Sequence, residues 1–311
     1  MTAVYQYWAF QMKIESDIPL QLPPFVAQTH SSTHPDSISI MYGKVHINGV
    51  LDHKVGSLEY GTSLNDPSEI LLHIPNLADF SIGQDALIKV QPTANADEKI
   101  VAQFIIGIAL MFLVKRQPII TLHGSAVSID SNAVVFLGAQ GSGKSSTAMA
   151  MTLQGAKMLC DDAVPIGLAD RDGIPQPVVY PGIPRPKLLP DAYRDMIGDT
   201  SEAMHLFDGV DKYQIPIESE TAATPLHLVY LLIPTEGLKY IEYEELKGFE
   251  KIAKILPHLS VLQGVEAIQD SYSQAVNMFR NARVWEIRRP NENSTIDQVV
   301  EVVQSIMDAS H

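Results

Sequence analysis

Eight consecutive residues, Gly138 to Ser145, read GAQGSGKS and fit the phosphate-binding pattern G-x-x-x-x-G-K-[ST] at every fixed position. Glycines let a backbone bend tightly around phosphate oxygens, and amides at a helix N-terminus supply positive potential. In this pattern Lys144 reaches the β- and γ-phosphate oxygens, and Ser145 ligates Mg²⁺. The motif therefore predicts a site for ATP and Mg²⁺. Its expected ATP-binding residues are Gly138, Ala139, Gln140, Gly141, Ser142, Gly143, Lys144, Ser145 and Ser146.

The segments on either side of this glycine loop have the order that the motif requires. Ala133 to Leu137 is apolar, with β-branched and aromatic residues, and predicts a buried strand. Lys144 to Gln154 contains no Pro or Gly, and Gly155 follows as a natural helix C-cap. Strand, loop and helix thus follow one another as in a phosphate-binding unit.

Two adjacent carboxylates, Asp161 and Asp162, follow the expected strand Lys157 to Cys160. A right-handed crossover makes this strand parallel to the one before the loop, so its carboxyl end emerges beside the loop. One carboxylate would then hold Mg²⁺ through water, while the other accepts the proton of an attacking hydroxyl. A solvated turn is the alternative.

A histidine, His123, is the second polar group expected near the loop. Ile119 to Ile129 reads as a strand that forms a hairpin with the strand before the loop. If Ser131 and Asn132 form the turn, His123 lies across from Gln140 and close to Asp161. It would orient the carboxylate or exchange a proton with it. An ordinary hydrogen-bonded polar group is the alternative, and the other nine histidines are interpreted as structural or surface residues.

Two cations, Arg185 and Lys187, lie in a segment from Pro165 to Pro190 that contains seven prolines. So many prolines predict a long loop or arm in extended conformation. Cations on such an arm would contact the transferred phosphoryl group or the acceptor. Ordinary surface charges are the alternative.

The 311 residues carry 46% hydrophobic side chains, which is enough for two packed domains. Residues 1–95 show short alternating runs that predict a β-rich N-terminal domain. Residues 96–311 are expected to form an α/β catalytic domain with a mixed sheet around the loop. Asp97-Glu98 opens a helix through Val114 that is expected to join the two regions, and the last helix places Ile296, Val299, Val300, Val303 and Ile306 on one apolar face.

The net charge of -14, from 22 basic and 36 acidic residues, disfavours nucleic acid and anionic membranes as partners. A single cysteine, Cys160, excludes a disulfide framework and a cysteine-based zinc site. The first twenty residues include Lys13 and Glu15 and do not resemble a signal peptide. The longest apolar run, Phe104 to Val114, is much shorter than the ~20 residues of a spanning helix. We therefore expect a cytoplasmic protein.

Three segments together resemble the catalytic domain of HPr kinase/phosphorylase. They are Leu122 to Val127 (LHGSAV), Gly138 to Ser146, and Gly155 to Asp162 (GAKMLCDD). The resemblance implies a P-loop kinase core similar to phosphoenolpyruvate carboxykinase, which transfers phosphate from ATP to a protein serine. It also implies that Asp161 is the base and that His123 supports it.

The closest pattern is that of lasso-peptide tailoring kinases, which also have a β-rich N-terminal region. Their Pro-Arg-x-Lys-Leu-x-Pro-Asp-Ala segment is matched here by Pro184 to Ala192. The Glu and Arg signature that follows the aspartate pair in the bifunctional HPr enzymes is absent from this sequence. The resemblance implies that the substrate is a precursor peptide with an acceptor serine near its C-terminus, and we expect the protein to be a homo-oligomer.

The leading hypothesis is thus an ATP- and Mg²⁺-dependent serine kinase acting on a peptide or protein. Asp161 takes the hydroxyl proton with help from His123. Ser145 and Asp162 are the expected metal ligands, and Asp162 acts through metal-bound water or by orienting Lys144. Two alternatives stay open: a nucleotide-dependent ATPase or binding module without an acceptor, and a small-molecule kinase on the same fold.

Overall fold

The computed structural model describes residues 4–24, 37–198, 204–205, 213–214, 217–260, 268–291 and 295–309. It divides into two compact units, the first ending at Pro118 and the second beginning at Ile119. Each unit contains a mixed β-sheet with strands in both parallel and antiparallel pairing. The chain is therefore a mixed α/β protein, as the sequence predicts.

The first unit is built on one eight-stranded sheet in the order β1-β2-β3-β8-β7-β6-β5-β4. Its strands are β1 (Tyr5–Ala9), β2 (Met12–Ser16), β3 (Ser37–Tyr42), β4 (Gly49–Val55), β5 (Leu58–Ser63), β6 (Ile70–Ile74), β7 (Ala78–Ile82) and β8 (Leu87–Pro92). β3 runs parallel to both β2 and β8, and the other neighbours are antiparallel. In β2 the apolar residues Met12 and Ile14 are buried and the charged residues Lys13 and Glu15, which alternate with them, are partly exposed, as expected for period 2.

A helical segment follows the sheet and belongs to the same unit. It consists of α1 (Glu98–Phe104), a π-helical turn (Ile105–Ala109) and α2 (Leu110–Val114). The ring of Phe112 packs against that of Tyr60 in β5 with centroids 5.5 Å apart. The sequence boundary at 95/96 falls before this segment, whereas the compact units divide after it because its apolar face packs on the first sheet. Within the described ranges, no helix combines the length and apolarity needed to cross a bilayer.

The second unit contains a seven-stranded sheet in the order β10-β9-β11-β12-β16-β18-β17, in which β10 also pairs with β16. The short strands β13, β15 and β14 form a separate sheet. The elements are β9 (Ile120–Ile129), β10 (Asn132–Leu137), α3 (Lys144–Leu153), β11 (Lys157–Arg171), β12 (Ile174–Val179), β13 (Lys187–Leu188), α4 (Pro190–Met196), β14 (Met204–His205), β15 (Tyr213–Gln214), β16 (Thr224–Thr235), β17 (Glu242–Leu246), α5 (Gly248–Ile255), a 3₁₀ turn (Leu256–His258), α6 (Ile268–Phe279), β18 (Arg283–Pro290) and α7 (Ile296–Asp308).

Helices α3 and α7 pack on the central strands of this sheet. Phe136 of β10 and Tyr230 of β16 are both buried, and their rings stack with centroids 5.8 Å apart. The Tyr230 hydroxyl donates to the Val303 carbonyl of α7 at 3.3 Å. On α7, Val299, Val300, Val303 and Ile306 are buried and Ile296 packs against the same cluster, which confirms the predicted apolar face. This core fixes the strand that leads into the glycine loop.

The hairpin β9–β10 has a different register from the predicted one. Its turn is Asp130-Ser131, with φ of +48° and +62°, and Asn132 pairs with Ile129. The prediction that His123 faces Gln140 is therefore wrong. β10 ends at Leu137, and on the other side of β9 His123 pairs with Ala163 of β11. The physical reason is that an Asp-Ser pair adopts the two left-handed conformations of a type I′ turn, which were expected one residue later.

Strand β11 is also longer than expected. It runs through Asp161 and Asp162 instead of ending at Cys160, and it pairs with β9, which separates it from β10. It does run in the same direction as β10, because both are antiparallel to β9. A β-bulge at Leu159 shifts the pairing between Met158 and Cys160.

The first half of the proline-rich segment is a hairpin, so the prediction of a continuous loop is wrong there. Asp172-Gly173, with φ of +55° and +79°, forms the turn between β11 and β12. Pro175 and Pro177 lie in β12, whose pairing with β16 is confined to Val178–Val179. Prolines are tolerated at such an edge because no neighbouring strand requires their missing N–H.

Candidate functional site

The glycine loop between β10 and α3 adopts a backbone conformation that favours glycine. The φ angles are +147° at Gly138, +80° at Gly141 and +100° at Gly143. A Cβ atom at Gly138 would lie 2.5 Å from the Leu232 carbonyl oxygen and 2.5 Å from the Ser142 hydroxyl. Gly138 is thus required by its conformation and by the space around it, whereas a Cβ at Gly141 meets no atom within 4 Å.

The side chain of Lys144 is buried and turns back over the loop that precedes it. Its Nζ donates to the carbonyl oxygens of Gly138 and Ala139, each at 3.0 Å. Inside the same loop the hydroxyl of Ser142 is fully buried and has no hydrogen-bond partner among the described residues. The loop therefore encloses the ammonium group of Lys144 and the Ser142 hydroxyl group, which has no hydrogen-bond partner among the described residues.

Asp161 belongs to β11, and its side chain lies beside the first turn of α3. The residue is only 3% exposed. Its Oδ1 accepts hydrogen bonds from the hydroxyls of Ser125 at 2.5 Å and Ser145 at 2.8 Å, and its Oδ2 accepts from the Lys187 amide at 3.0 Å. Burial raises the pKa of Asp161, and these three hydrogen bonds partly oppose that rise. A carboxylate has about four lone-pair sites, so about one remains for another donor.

The register of β9 and β11 brings Asp161 to Ser125. Because of the bulge at Leu159, Asp161 pairs with Ser125 and Asp162 pairs with Gly124. A Cβ atom at Gly124 would lie 2.6 Å from the Phe136 carbonyl oxygen, so a glycine is needed where β9 passes β10. The Gly in the His-Gly step thus has a packing role.

Asp162, the next residue of β11, has a φ of +75° and a side chain that is 50% exposed. Its Oδ1 lies 3.2 Å from His123 Nδ1, and its Oδ2 lies 2.7 Å from Lys187 Nζ. The hydrogen bond from His123 and then the Lys187 ammonium hold the pKa of Asp162 well below its usual range, despite partial burial. His123 therefore meets Asp162, and the expectation that it meets Asp161 is wrong.

The segment after β12 carries Lys187 to both carboxylates. It runs beside β11, where the Gly182 amide donates to the Leu159 carbonyl at 3.1 Å and the Asp161 amide donates to the Ile183 carbonyl at 2.8 Å. Arg185 lies on the same segment, and its amide donates to the Ile183 carbonyl at 3.0 Å. The structure thus brings Lys187 into the site, while the predicted phosphate contact of Arg185 stays a prediction.

Two residues of the site were not singled out from the sequence. The guanidinium of Arg289, at the end of β18, donates to the Ser142 carbonyl at 3.1 Å and to the Gly141 carbonyl at 3.5 Å. His258 lies in the 3₁₀ turn before Leu259, which bridges to Leu122 of β9. Burial and the nearby charges of Lys144 and His123 lower the pKa of His258.

Neither residue has a local sequence signal, and only the strand order could have indicated one of them. β10, β16 and β18 are parallel neighbours, so Arg289 emerges at the same sheet edge as the glycine loop. His258 is among the nine histidines that the sequence interprets as structural or surface residues, because no spacing links it to the motif.

The residues present fit ATP and Mg²⁺. The N-cap residue of α3 is Gly143, which has no side chain to cap the helix and so leaves amides for an anion, and the Ser142 hydroxyl is an unused polar group in the loop. Ser145 and Asp161 offer adjacent oxygens of the hard type that Mg²⁺ prefers. Among the described residues no group of three or more His, Cys, Asp or Glu side chains forms a metal site. Mg²⁺ usually takes only one or two carboxylates together with phosphate oxygens and waters.

No protein-family model matches the chain, and the comparison with curated proteins gave no match either. Among solved structures, the HPr(Ser) kinase/phosphatase from Coxiella burnetii is similar over 61% of this chain and 92% of its own, with 16% identity and a TM-score of 0.30. A likeness of this degree carries no argument about reaction or substrate. The functional proposal therefore rests on the residues of the site.

Proposed function

We propose that this chain is an ATP- and Mg²⁺-dependent kinase that transfers the γ-phosphate to a serine hydroxyl of a peptide or protein. The observation that carries the proposal is the 2.8 Å hydrogen bond from Ser145 of the glycine loop to the buried Asp161. It joins a phosphate-binding motif to a carboxylate, and phosphoryl transfer requires both. A kinase core of the HPr kinase/phosphoenolpyruvate carboxykinase type, as implied by the sequence resemblance, is part of this proposal.

The loop residues account for nucleotide binding. Lys144 and the amides around Gly143 supply positive charge and donors for the β- and γ-phosphates. Because Ser145 gives its hydroxyl hydrogen to Asp161, its oxygen lone pairs remain available for a metal ligand. Mg²⁺, when bound, neutralises negative charge on the phosphates. Asp162 keeps its expected role as a metal ligand, and it would bind Mg²⁺ through a water molecule. Asp161 is the carboxylate that contacts Ser145 directly.

The two carboxylates differ in basicity, and this supports Asp161 as the base. Burial raises the pKa of Asp161, so its carboxylate is the stronger proton acceptor. His123 and Lys187 lower the pKa of Asp162, which makes that carboxylate a weak base. In the proposed reaction Asp161 takes the proton of the acceptor hydroxyl while the serine oxygen attacks the γ-phosphorus, the bond from the γ-phosphorus to the bridging oxygen breaks, and ADP leaves. Asp162 holds His123 and Lys187 beside the reacting groups.

A chain-borne acceptor is supported by the exposure of one side of the site. The side chains of His123 and Asp162 are 48% and 50% exposed, so a serine on a peptide can approach from this side. The Pro184 to Ala192 segment, which motivated the lasso precursor as substrate, forms β13 and the start of α4. The precursor peptide, a homo-oligomeric state and a cytoplasmic location are the finer parts of this proposal.

The test is incubation with labelled ATP, Mg²⁺ and serine peptides, each matched by its Ser→Ala version and read by mass spectrometry. A phosphate on the serine peptide alone supports the proposal. Unchanged ATP hydrolysis with every peptide, without transfer, would indicate the ATPase or binding module. Transfer to a metabolite and never to a peptide would indicate the small-molecule kinase.

A further inference from the structure

A guanidinium group binds the outer side of the glycine loop. Arg289 Nε donates to the Ser142 carbonyl at 3.1 Å, Nη2 lies 3.5 Å from the Gly141 carbonyl oxygen, and Nη1 donates to the carbonyl of Pro290 at 3.2 Å. We propose that Arg289 is a positioning residue that holds the loop in the shape that binds an anion. The inference rests on the proposed function, in which the loop receives the phosphates of ATP.

The planarity of the peptide bond explains how this contact acts. In a trans peptide the C=O and the following N–H point in opposite directions. When Arg289 holds the Ser142 carbonyl, the amide of Gly143 is turned to the other side of the loop. That amide begins α3, at the positive end of the helix dipole. Arg289 thus directs a donor toward the phosphate position without contacting the ligand itself.

The position of Arg289 on the sheet makes it a firm anchor. It pairs with Pro234 of β16 across parallel strands, and its side chain is partly buried. A Cβ atom at Gly143 would lie 3.6 Å from Arg289 Nη2, so the guanidinium packs directly against the loop backbone. Its positive charge also adds to the potential that attracts an anion.

The neighbouring Arg288 has a different environment and provides a matched control. It points to the opposite face of β18, where it donates to Glu286 at 2.8 Å and to Glu244 at 2.6 Å. Glu286 is also paired with Lys254, so it keeps a cationic partner when Arg288 is replaced. A substitution at Arg288 removes the same charge from the same strand without touching the loop.

The experiment compares Arg289→Met, Arg289→Lys and Arg288→Met with the wild-type protein, below their unfolding temperatures. Amide hydrogen exchange of the peptide 137–148 without nucleotide reports the order of the loop. Calorimetric titration with ATP and Mg²⁺ reports affinity. For Arg289→Met we expect faster loop exchange and about tenfold weaker ATP binding, the loss expected for a charge-assisted hydrogen bond. Arg289→Lys should restore part of both, and Arg288→Met should change neither.

Loop exchange and ATP affinity equal to wild type in Arg289→Met would overturn the inference, as would equal effects of Arg288→Met. If Arg289 only stabilises the fold, Arg289→Met should unfold at a lower temperature and Arg289→Lys should not recover any ATP affinity. That result would also reject the inference. If the wild-type protein binds no ATP, the proposed function fails. The exchange comparison still decides whether Arg289 orders the loop.

Discussion

Ser145 and Asp161 are joined by a 2.8 Å hydrogen bond that connects the first turn of α3 to the interior of β11. Ser125 of β9 donates to the same carboxylate oxygen at 2.5 Å. The loop motif, its helix and the two strands beside it are thus coupled through one buried carboxylate. Four predictions follow from its surroundings and from the shape of the loop.

Replacement of Asp161 by asparagine should abolish transfer while nucleotide binding persists. The asparagine Oδ1 can still accept from Ser125 and Ser145, but its NH₂ group would face the Lys187 N–H, donor against donor. We expect transfer to fall by at least about 10²-fold because the base is lost. The free energy of unfolding should fall by about 1–3 kcal/mol, the cost of unsatisfied buried donors. Transfer assays and urea unfolding measure the two effects.

The control is Asp170→Asn, on the same strand at its exposed hairpin end. Asp170 Oδ1 accepts from the Gly173 amide at 2.8 Å, and an asparagine can accept the same hydrogen bond. This variant should keep wild-type transfer and stability. If Asp161→Asn phosphorylates peptides at the wild-type rate, Asp161 is not the base.

The pH dependence of transfer should show an acid limb above the ordinary range of an aspartate. Asp161 acts in its ionised form, and burial raises its pKa, so the rate should increase with pH through that raised value. The negative charge of Asp162 also raises the pKa of Asp161. Asp162→Asn should therefore shift the acid limb to lower pH. A pH-rate profile of kcat/KM for both proteins checks this, and an unshifted limb would contradict the coupling.

Asp162 should stabilise the folded state at neutral pH and lose that contribution in acid. His123 and Lys187 lower its folded pKa below the unfolded value of about 3.9. The contribution is therefore present above the unfolded pKa and disappears as pH falls through the folded pKa. Urea unfolding from pH 6 to pH 2 should show a smaller acid loss in Asp162→Asn than in wild type. If the free energy of unfolding falls equally with pH in both proteins, Asp162 is not stabilised by His123 and Lys187.

Alanine substitutions in the loop should separate conformational strain from steric exclusion. At Gly141 a Cβ meets nothing within 4 Å, so Gly141→Ala should cost only about 1–2 kcal/mol for the left-handed backbone. Gly138→Ala should cost more, because its Cβ would lie 2.5 Å from the Leu232 carbonyl oxygen. Urea unfolding gives both values, and equal costs would contradict the prediction.

A glycine outside the loop provides a control that separates an effect on the shape of the loop from an effect on stability. Gly155, after α3, also has a positive φ of +103°, and a Cβ atom added there would meet nothing within 4 Å. Gly155→Ala should resemble Gly141→Ala in stability yet leave ATP affinity unchanged, as measured by calorimetry.

The sequence predicted the elements on either side of the loop well because their signals are local. The strand before the loop and the helix after it are confirmed as β10 and α3 within about one residue at their ends. The apolar face of α7 was equally clear from its spacing. In each case neighbouring residues in the chain are also neighbours in the structure.

The turns and the long-range contacts of the site are harder to predict, because no single segment of the sequence determines them. Either Asp130-Ser131 or Ser131-Asn132 could form the hairpin turn, and that choice decides which residue faces His123. Asp-Gly is a strong hairpin signal. The Asp172-Gly173 turn is nevertheless missed from the sequence, because the prolines of β12 that follow it predict a loop. Arg289 meets its loop partner Ser142 across 147 positions of sequence, and only the parallel order of the strands brings them together.

The bulge at Leu159 decides which side chain of β11 stands opposite Ser125. Met158 pairs with Val127 and Cys160 with Ala126, so Leu159 is the extra residue between them. If the same sequence paired with β9 without a bulge, the thiol of Cys160 would stand opposite Ser125, and Asp161 would pair with Gly124. One backbone irregularity therefore decides whether an acid or a sulfur occupies the centre of the site, although every side chain that does the chemistry is encoded in either case.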